Sequence, residues 1–232
     1  MMIQDTKSAP QEIDPNILYK VTHNLRGPLN SIIGLSNIAI SESTDEKSTF
    51  YLNKIKQSAE KLSGFVDDLL NLSKITSSES SNSDKINFQS MIDDILSSLQ
   101  YLPNYKKIDI LINIQQHVDF YSDGVVLYSI LQNIVENSIK YCDLSKNYSF
   151  LKIKVQVNEE RTRVEFEDNG IGIEEGYLDK VTEMFVRASE NSTGNGIGLF
   201  IVKKSVEKLN GDMQIKSKKG TGTTTVLSFR HS

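Results

Sequence analysis

The sequence predicts two domains: an all-α helical hairpin that forms a dimeric four-helix bundle, followed by an α/β sandwich in which helices cover a mixed sheet. Three observations predict this fold class. Two long amphipathic helical patterns open the chain, a stretch rich in Ser and Asn follows them, and strand patterns then alternate with helical patterns. At 232 residues, the chain is long enough for two such units.

The breaks between these patterns set the predicted domain boundaries. Residues 1–14 are polar and show no helical stripe, so we expect a flexible lead-in there. The hairpin is expected over residues 15–77 and the linker over residues 78–84. The second domain then occupies residues 85–232.

The hairpin begins at Pro15, a residue that suits the first turn of a helix. Apolar residues recur from there at three- and four-residue steps, and Pro28 inside this pattern is expected to kink the helix. The polar residues 41–45 separate the first helix from the second. Because a hairpin cannot cover its own apolar faces, we expect two copies to associate as a homodimer.

The second domain mixes two kinds of pattern. Helices are expected in four segments, at residues 89–100, 124–141, 177–185 and 197–209. Strands are expected where β-branched and aromatic residues are frequent, at residues 110–120, 150–159, 161–168, 212–218 and 223–229. This mixture favours a sheet covered by helices.

Composition argues against several classes of partner. The net charge of −4 gives no long-range attraction for nucleic acid or for an anionic membrane surface. The single cysteine, Cys142, cannot form an intrachain disulfide, and no Cys/His cluster has zinc-ligand spacing. We find no signal peptide and no membrane-spanning run. We therefore expect a cytoplasmic protein, or the cytoplasmic part of a larger or membrane-anchored one, without nucleic acid or membrane contact from this segment.

Three polar residues share one side of the helix predicted over residues 124–141. Asn133 and Asn137 are four residues apart, and Lys140 follows three residues later. An amide oxygen is a hard neutral ligand that suits Mg²⁺, and a lysine can neutralise phosphate charge. Taken alone, an exposed polar helix face explains the same three residues.

A turn of sequence D-N-G-I-G follows the strand predicted over residues 161–168. It contains Gly170 and Gly172, which permit a tight turn and leave Asp168 at the end of the strand. A carboxylate at this place can accept a hydrogen bond from an exocyclic amine such as that of adenine. Taken alone, the segment is also typical of an ordinary turn.

Two further glycine-rich segments lie nearer the C-terminus. Gly194, Gly196 and Gly198 precede a helical pattern, where backbone N–H groups can approach phosphates at a helix N-terminus. This is the strongest single motif of the domain. Thr223 follows the last glycines and could reach a phosphate, although such a segment, taken alone, is more often a plain hairpin turn.

In combination, these segments resemble the ATP-binding domain shared by histidine kinases, Hsp90, type II topoisomerases and MutL proteins. They look like its N box, first glycine box, F box, second glycine box and closing glycine box, at residues 133–141, 168–172, 183–187, 194–199 and 219–223. The resemblance implies ATP as the nucleotide, Mg²⁺ on Asn137, phosphates on Asn133 and Lys140, and adenine on Asp168. The other nucleotide-binding positions that it implies are Tyr141, Gly170, Gly172, Gly194, Gly196, Gly198, Leu199 and Thr223.

The first domain carries a second resemblance. His23 begins the segment H-N-L-R-G-P-L, which is similar to the H box of histidine kinases. With the ATP site, it identifies the chain as resembling a sensor histidine kinase core. The resemblance implies that His23 takes the γ-phosphoryl group of ATP and passes it to an Asp of a response-regulator receiver. Arg26 and, from an ATP lid at about residues 173–193, Arg187 would contact phosphate.

Two positions depart from the H box. Asn24 replaces the usual acid, so it can orient the histidine but cannot take its proton. Gly27 replaces the usual Thr or Asn, a position associated with dephosphorylation of the receiver, so weak phosphatase activity is expected. Asn24 leaves open an ATP-binding pseudokinase or a phosphotransfer dimer without autokinase activity. An ATPase clamp of the Hsp90 or MutL sort is a further alternative.

Overall fold

The computed structural model describes residues 15–77, 83–187 and 196–231. The chain divides into two compact units, Met1–Ser77 and Ser78–Ser232. The predicted lead-in and most of the predicted linker lie outside the described residues.

The first unit is the predicted helical hairpin. Helix α1 spans Pro15–Glu42 and continues as one helix through Pro28, and helix α2 spans Glu46–Ser77. Asp45 lies between them, and its carboxylate accepts a hydrogen bond from the Ser48 N–H at 2.8 Å, which caps the start of α2. No helix in the described part of the chain is long and apolar enough to cross a membrane.

The second unit contains three α-helices and seven strands within its described residues. Its helices are α3 (Phe88–Leu99), α4 (Gly124–Lys140) and α5 (Gly198–Lys208). Its strands are β1 (Asp84–Lys85), β2 (Asp109–Gln116), β3 (Tyr121–Ser122), β4 (Phe150–Val157), β5 (Arg161–Asp168), β6 (Gly211–Lys218) and β7 (Gly222–Arg230).

Five of the strands form one sheet in the order β2-β4-β5-β7-β6. The pair β2–β4 is parallel and the other neighbours are antiparallel, so the sheet is mixed, as predicted. The short strands β1 and β3 form a separate antiparallel pair. The parallel pair requires a crossover between β2 and β4, and that crossover contains α4.

The core of the second unit lies between the sheet and its helices. Alternate residues of β4 are buried, which is the period of a strand with one covered face. The opposite layer comes from α3, α4 and α5, whose apolar faces supply residues such as Ile92, Ile130 and Val202, each at most 1% exposed. Helix α4, on which the polar residues of the site lie, is therefore held in place by the packing of its apolar side.

One predicted helix is wrong. The sequence predicts a helix over residues 177–185, but the structure has a single 3₁₀ turn at Glu175–Tyr177 followed by turns and bends. Phe185 has a φ of +69°, a left-handed conformation that an α-helix does not contain. The apolar residues of this segment lie on a series of turns and not along one side of a helix.

Candidate active site

The candidate phosphoryl acceptor lies on the hairpin. His23 and Asn24 are consecutive residues of α1, and both are exposed. Arg26 forms an ion pair with Asp67 of α2. The two side chains of this pair are about half exposed, so water screens the interaction and it adds little stability. Its effect is to hold the Arg26 guanidinium on the α1–α2 contact, about one turn from the histidine.

In the second unit, α4 positions the two asparagines of the site. The Asp123 carboxylate accepts hydrogen bonds from the N–H groups of Val125 and Val126 at 3.1 and 3.0 Å, which satisfies donors at the start of the helix. The apolar side of α4 packs into the core. Asn133 and Asn137 consequently lie on another side of the helix, where both are partly buried.

The start of α5 lies opposite these asparagines. A Cβ atom on Gly198, the first residue of α5, would stand 3.1 Å from Asn133 Oδ1 and 3.8 Å from Asn137 Nδ2. The glycine therefore lets the helix start approach both amides. Free N–H groups at a helix start attract anions, so this region has the chemistry for phosphate groups and a metal ion.

Lys140, the third polar residue predicted on α4, is already paired. Its Nζ atom lies 2.6 Å from Glu136 Oε1, one turn earlier on the same helix. Both side chains are partly exposed. Part of the ammonium charge is therefore balanced by Glu136.

Asp168 lies at the end of β5 and is held by three hydrogen bonds. Its Oδ1 atom accepts the N–H groups of Gly170 and Thr223 at 2.9 and 3.2 Å, and its Oδ2 atom accepts the Ser138 hydroxyl at 3.2 Å. Burial raises the pKa of Asp168, while the three hydrogen bonds and the charge of Lys146 act in the opposite direction. The carboxylate is thus oriented by the main chain and by α4.

The backbone around Asp168 is tightly packed. A Cβ atom on Gly170 would lie 2.5 Å from the Tyr141 carbonyl oxygen, and one on Gly222 would lie 2.0 Å from the Asp168 carbonyl oxygen. The Tyr141 carbonyl also accepts the Ile171 N–H at 3.0 Å. Tyr141 is the C-cap residue of α4, so the end of that helix is joined directly to the turn that follows β5.

The remaining predicted positions lie within the segment predicted as an ATP lid or just after it. The N–H of Phe185, which lies inside that segment, donates to the carbonyl of Gly196, which follows it, at 2.9 Å. Arg187 is exposed, and Leu199 is the second residue of α5. Gly194 lies outside the described residues.

Two further predicted residues lie near Asp168, one in the turn after β5 and one near the start of β7. Gly172 has a φ of +66° in the turn after β5. The Thr223 hydroxyl lies 2.8 Å from the Ser217 hydroxyl, so it bonds to the neighbouring strand β6 in addition to any ligand it meets.

Within the second unit, the structure brings the predicted residues together in two groups along α4. Asn133 and Asn137 meet the start of α5, and Tyr141 meets the turn beside Asp168. Sequence reasoning missed two residues that contact the same places. Ser138 is a polar residue on a buried helix face, which was a usable signal, whereas Lys146 lies in a loop without any pattern.

Two family models match the chain. Residues 16–78 match a model described as the His Kinase A (phospho-acceptor) domain. Residues 122–232 match a model described as a histidine kinase-, DNA gyrase B- and HSP90-like ATPase. His23 falls in the first match, and Asn133, Asn137 and Asp168 fall in the second.

Curated relatives share similarity along nearly the whole chain. The autoinducer 2 sensor kinase/phosphatase LuxQ of Vibrio parahaemolyticus is 31% identical, over 96% of this chain and 27% of LuxQ. The aerobic respiration control sensor protein ArcB of Escherichia coli K12 is 26% identical, over 97% of this chain and 30% of ArcB. The chain therefore spans less than a third of the length of these relatives.

Solved structures share the fold. Full-length ShkA in complex with AMPPNP superposes with a TM-score of 0.72 at 19% identity, over 94% of this chain and 46% of ShkA. The histidine kinase AdeS of Acinetobacter baumannii gives a TM-score of 0.63 at 22% identity, over 90% of this chain and 97% of that one. At these identities the likeness is one of fold.

Proposed function

We propose a function from the premise that this chain belongs to the sensor histidine kinases. It binds Mg-ATP in its second unit, transfers the γ-phosphoryl group to His23, and passes that group to an Asp of a response-regulator receiver domain. The observation that carries the proposal is the close approach of Asn133 and Asn137 to the start of α5. The same chain has an exposed histidine, His23, in a phospho-acceptor domain. ShkA, which shares the fold, was solved with the nucleotide AMPPNP.

The donors at this place fit Mg²⁺. No group of three or more His, Cys, Asp or Glu side chains that could hold a metal occurs among the described residues. Mg²⁺ typically keeps several waters and binds one or two protein oxygens together with substrate phosphates. Asn137 supplies such an oxygen, and the bound ion supplies charge neutralisation on the phosphates. Asn133 and Lys140 bind phosphate oxygens beside it.

The transfer is an in-line displacement at the γ-phosphorus. A neutral ring nitrogen of His23 attacks, the bond from phosphorus to the β–γ bridging oxygen breaks, and ADP leaves. The Asn24 amide oxygen accepts a hydrogen bond from the other ring N–H and fixes the tautomer, but an amide does not take the proton. Because His23 is exposed, water is the available proton acceptor. Arg26 and Arg187 stabilise phosphate charge in this proposal.

Adenine lies against Asp168 in the same proposal. The carboxylate has N–H donors on Oδ1 and a hydroxyl donor on Oδ2, and it retains lone pairs for the 6-amino group of the base. The Tyr141 backbone is fixed to the adjoining turn, which supports a position for that residue beside the base. In this proposal, the phosphates bind to the C-terminal half of α4, at Asn133 and Asn137, and the base binds just beyond the end of that helix.

The hairpin dimerises in this proposal. Several large apolar side chains of α1 and α2 are exposed, between 41% and 67%: Val21, Leu25, Ile32, Leu35, Ile38, Phe50, Tyr51, Ile55 and Leu62. Burying them in a four-helix bundle with a second hairpin removes this surface from water. The receiver domain docks on the same bundle. We place the protein in the cytoplasm, where the buried Cys142 thiol stays reduced.

Gly27 gives this kinase weak phosphatase activity toward the receiver. The position carries no polar side chain that could orient a water molecule on the receiver phosphate. LuxQ is named a kinase/phosphatase. We expect this chain to differ from a protein with both activities because of Gly27.

The kinase proposal is tested by labelling the whole chain with γ-³²P ATP. We expect label that is lost in acid and retained in base, as phosphohistidine is, and its absence from the His23→Gln variant. His117→Gln is the matched control, because it makes the same change at a different histidine, and it should label like the wild type. Asn137→Asp should reduce labelling strongly.

Three outcomes would contradict the proposal in different ways. Acid-stable label, or label that survives His23→Gln, would show that another residue accepts the phosphoryl group. ATP binding without any label would select the pseudokinase or phosphotransfer dimer, which Asn24 favours. Steady ATP hydrolysis that is unchanged in His23→Gln would select the ATPase clamp.

A further inference from the structure

Lys146 makes an unusual set of contacts in the loop between α4 and β4. Its Nζ atom donates to the carbonyl oxygens of Asn169 at 2.5 Å, Gly170 at 3.3 Å and Thr221 at 3.2 Å. An ammonium group has three N–H donors, so these carbonyls use all of them. The nearest carboxylate, that of Asp143, is 4.0 Å away, and the lysine side chain is only 26% exposed. Its main partners are therefore backbone oxygens.

The three carbonyls belong to two loops that are distant in sequence. Asn169 and Gly170 follow β5, whereas Thr221 precedes β7. Three carbonyl dipoles that point at one place repel one another unless a cation or several donors lie between them. Lys146 supplies that cation from a third segment, and it thereby joins the two loops.

These two loops also hold Asp168. The N–H of Gly170, whose carbonyl binds Lys146, donates to Asp168 Oδ1 at 2.9 Å. The N–H of Thr223, two residues after Thr221, donates to the same oxygen at 3.2 Å. A displacement of either loop would therefore move a donor away from the carboxylate.

We propose that Lys146 is a positioning residue for base recognition: by joining the 169–170 turn to the loop at Thr221, it fixes Asp168 toward the 6-amino group of adenine and sets the preference for ATP over nucleoside triphosphates that lack this amine. The inference rests on the proposed ATP site. It does not place Lys146 in contact with the nucleotide.

The charge of Lys146 acts in the same direction as its contacts. Burial is the main influence on the Asp168 carboxyl and raises its pKa. Lys146 opposes that effect, together with the donors from Gly170, Thr223 and Ser138. The lysine thus favours the ionised carboxylate, which is the stronger acceptor for an amine donor.

The test compares two nucleotides on the whole protein by calorimetry. The probes are ATP and purine riboside triphosphate, which has the same phosphates and sugar but no 6-amino group. We expect the wild type to bind ATP about tenfold or more tightly than the analogue, as a charged hydrogen bond predicts. In Lys146→Met, the affinity for ATP should fall while the affinity for the analogue falls much less. The ratio of the two affinities should therefore approach one.

Two further variants define what the lysine contributes. Lys152→Met is the matched control, since it also removes one partly exposed ammonium, which pairs with Glu167 on the next strand, and it should keep the full preference. Lys146→Arg keeps the charge but has a planar fork that suits three converging carbonyls poorly, so an intermediate preference is expected. Lys146→Gln replaces the Met variant if that one does not fold, with the same expected loss.

Failure of this inference is distinguishable from failure of the proposed function. If ATP and the analogue lose affinity by the same factor in Lys146→Met, the residue has a general structural role and the inference is wrong. Asp168→Asn tests the site itself. If that variant loses the preference while Lys146→Met keeps it, the ATP site stands and the inference falls. If the wild type shows no preference, adenine recognition by Asp168 and the inference both fail.

Discussion

The two units of this protein bury their apolar residues in different ways. In the second unit, large side chains such as Phe88, Phe166 and Phe229 are at most 2% exposed and belong to one continuous core. In the hairpin, Leu35 and Ile38 are 67% and 55% exposed, although they belong to the same helix as the buried Leu29. The second unit therefore buries its large apolar side chains in its own core, whereas the hairpin leaves an apolar face exposed, which the proposed dimer would cover.

The largest expected effect is on stability, from a substitution in the core of the second unit. Ile130 of α4 is fully buried, so Ile130→Ala should lower the free energy of unfolding of the second unit by about 2–5 kcal/mol, from lost burial and the cavity left behind. Urea denaturation followed by circular dichroism measures the change. Val125→Ala on the same helix is the control, because Val125 is 80% exposed and should change stability by less than about 0.5 kcal/mol. Equal effects of the two variants would contradict the comparison.

The next effect is on dimer formation, from a substitution among the exposed apolar residues of the hairpin. Leu35→Lys should weaken the dimer about tenfold or more, since burying a leucine contributes about 1.5–3 kcal/mol. Sedimentation equilibrium measures the dimer, and ATP affinity should not change. Asn37→Lys adds the same charge at a nearby exposed polar position of α1 and should leave the dimer intact. If the wild-type protein stays monomeric at high concentration, the proposed dimerisation of the hairpin is wrong.

The smallest effect concerns the helix that carries His23. Gly27 lies inside α1, and apart from its chain neighbours and the backbone of its own helix, a Cβ atom there would have no atom within 4 Å. Gly27→Ala should raise the stability of the hairpin by less than about 1 kcal/mol, because alanine favours a helix more than glycine does but its Cβ crowds the ring of the following Pro28. Gly34 also has open surroundings on the same helix but precedes Leu35 instead of a proline, so Gly34→Ala should give the larger gain, up to about 1 kcal/mol, in thermal melting. A lower melting temperature in Gly27→Ala alone would point to a packing role for that glycine.

Regular periodicity made most of the fold predictable. The hairpin, its break over residues 41–45 and the mixed sheet follow from apolar spacing and turn residues, which act locally. The helix predicted over residues 177–185 was wrong because apolar spacing cannot distinguish a helix from consecutive turns. Strands β1 and β3 were missed because two residues are too few to show alternation.

The candidate site was predictable to a different extent. Asn133, Asn137 and Asp168 lie in motifs with recognisable spacing, and resemblance to a family linked them. Lys146 had no such signal, since its contact with Thr221 joins residues 75 positions apart. Contacts of that range depend on the register of strands that are themselves distant in the sequence, and no local pattern encodes them.

The position of β7 has a consequence for the order in which a newly made chain acquires its parts. This strand follows every other strand of its sheet in the sequence, yet it lies between β5 and β6 and supplies the Thr223 N–H that binds Asp168. During synthesis, the hairpin is complete long before β7 leaves the ribosome. Two nascent hairpins can therefore meet while the sheet is still unfinished. In such a chain the proposed phosphoryl acceptor, His23, exists before the proposed ATP site does.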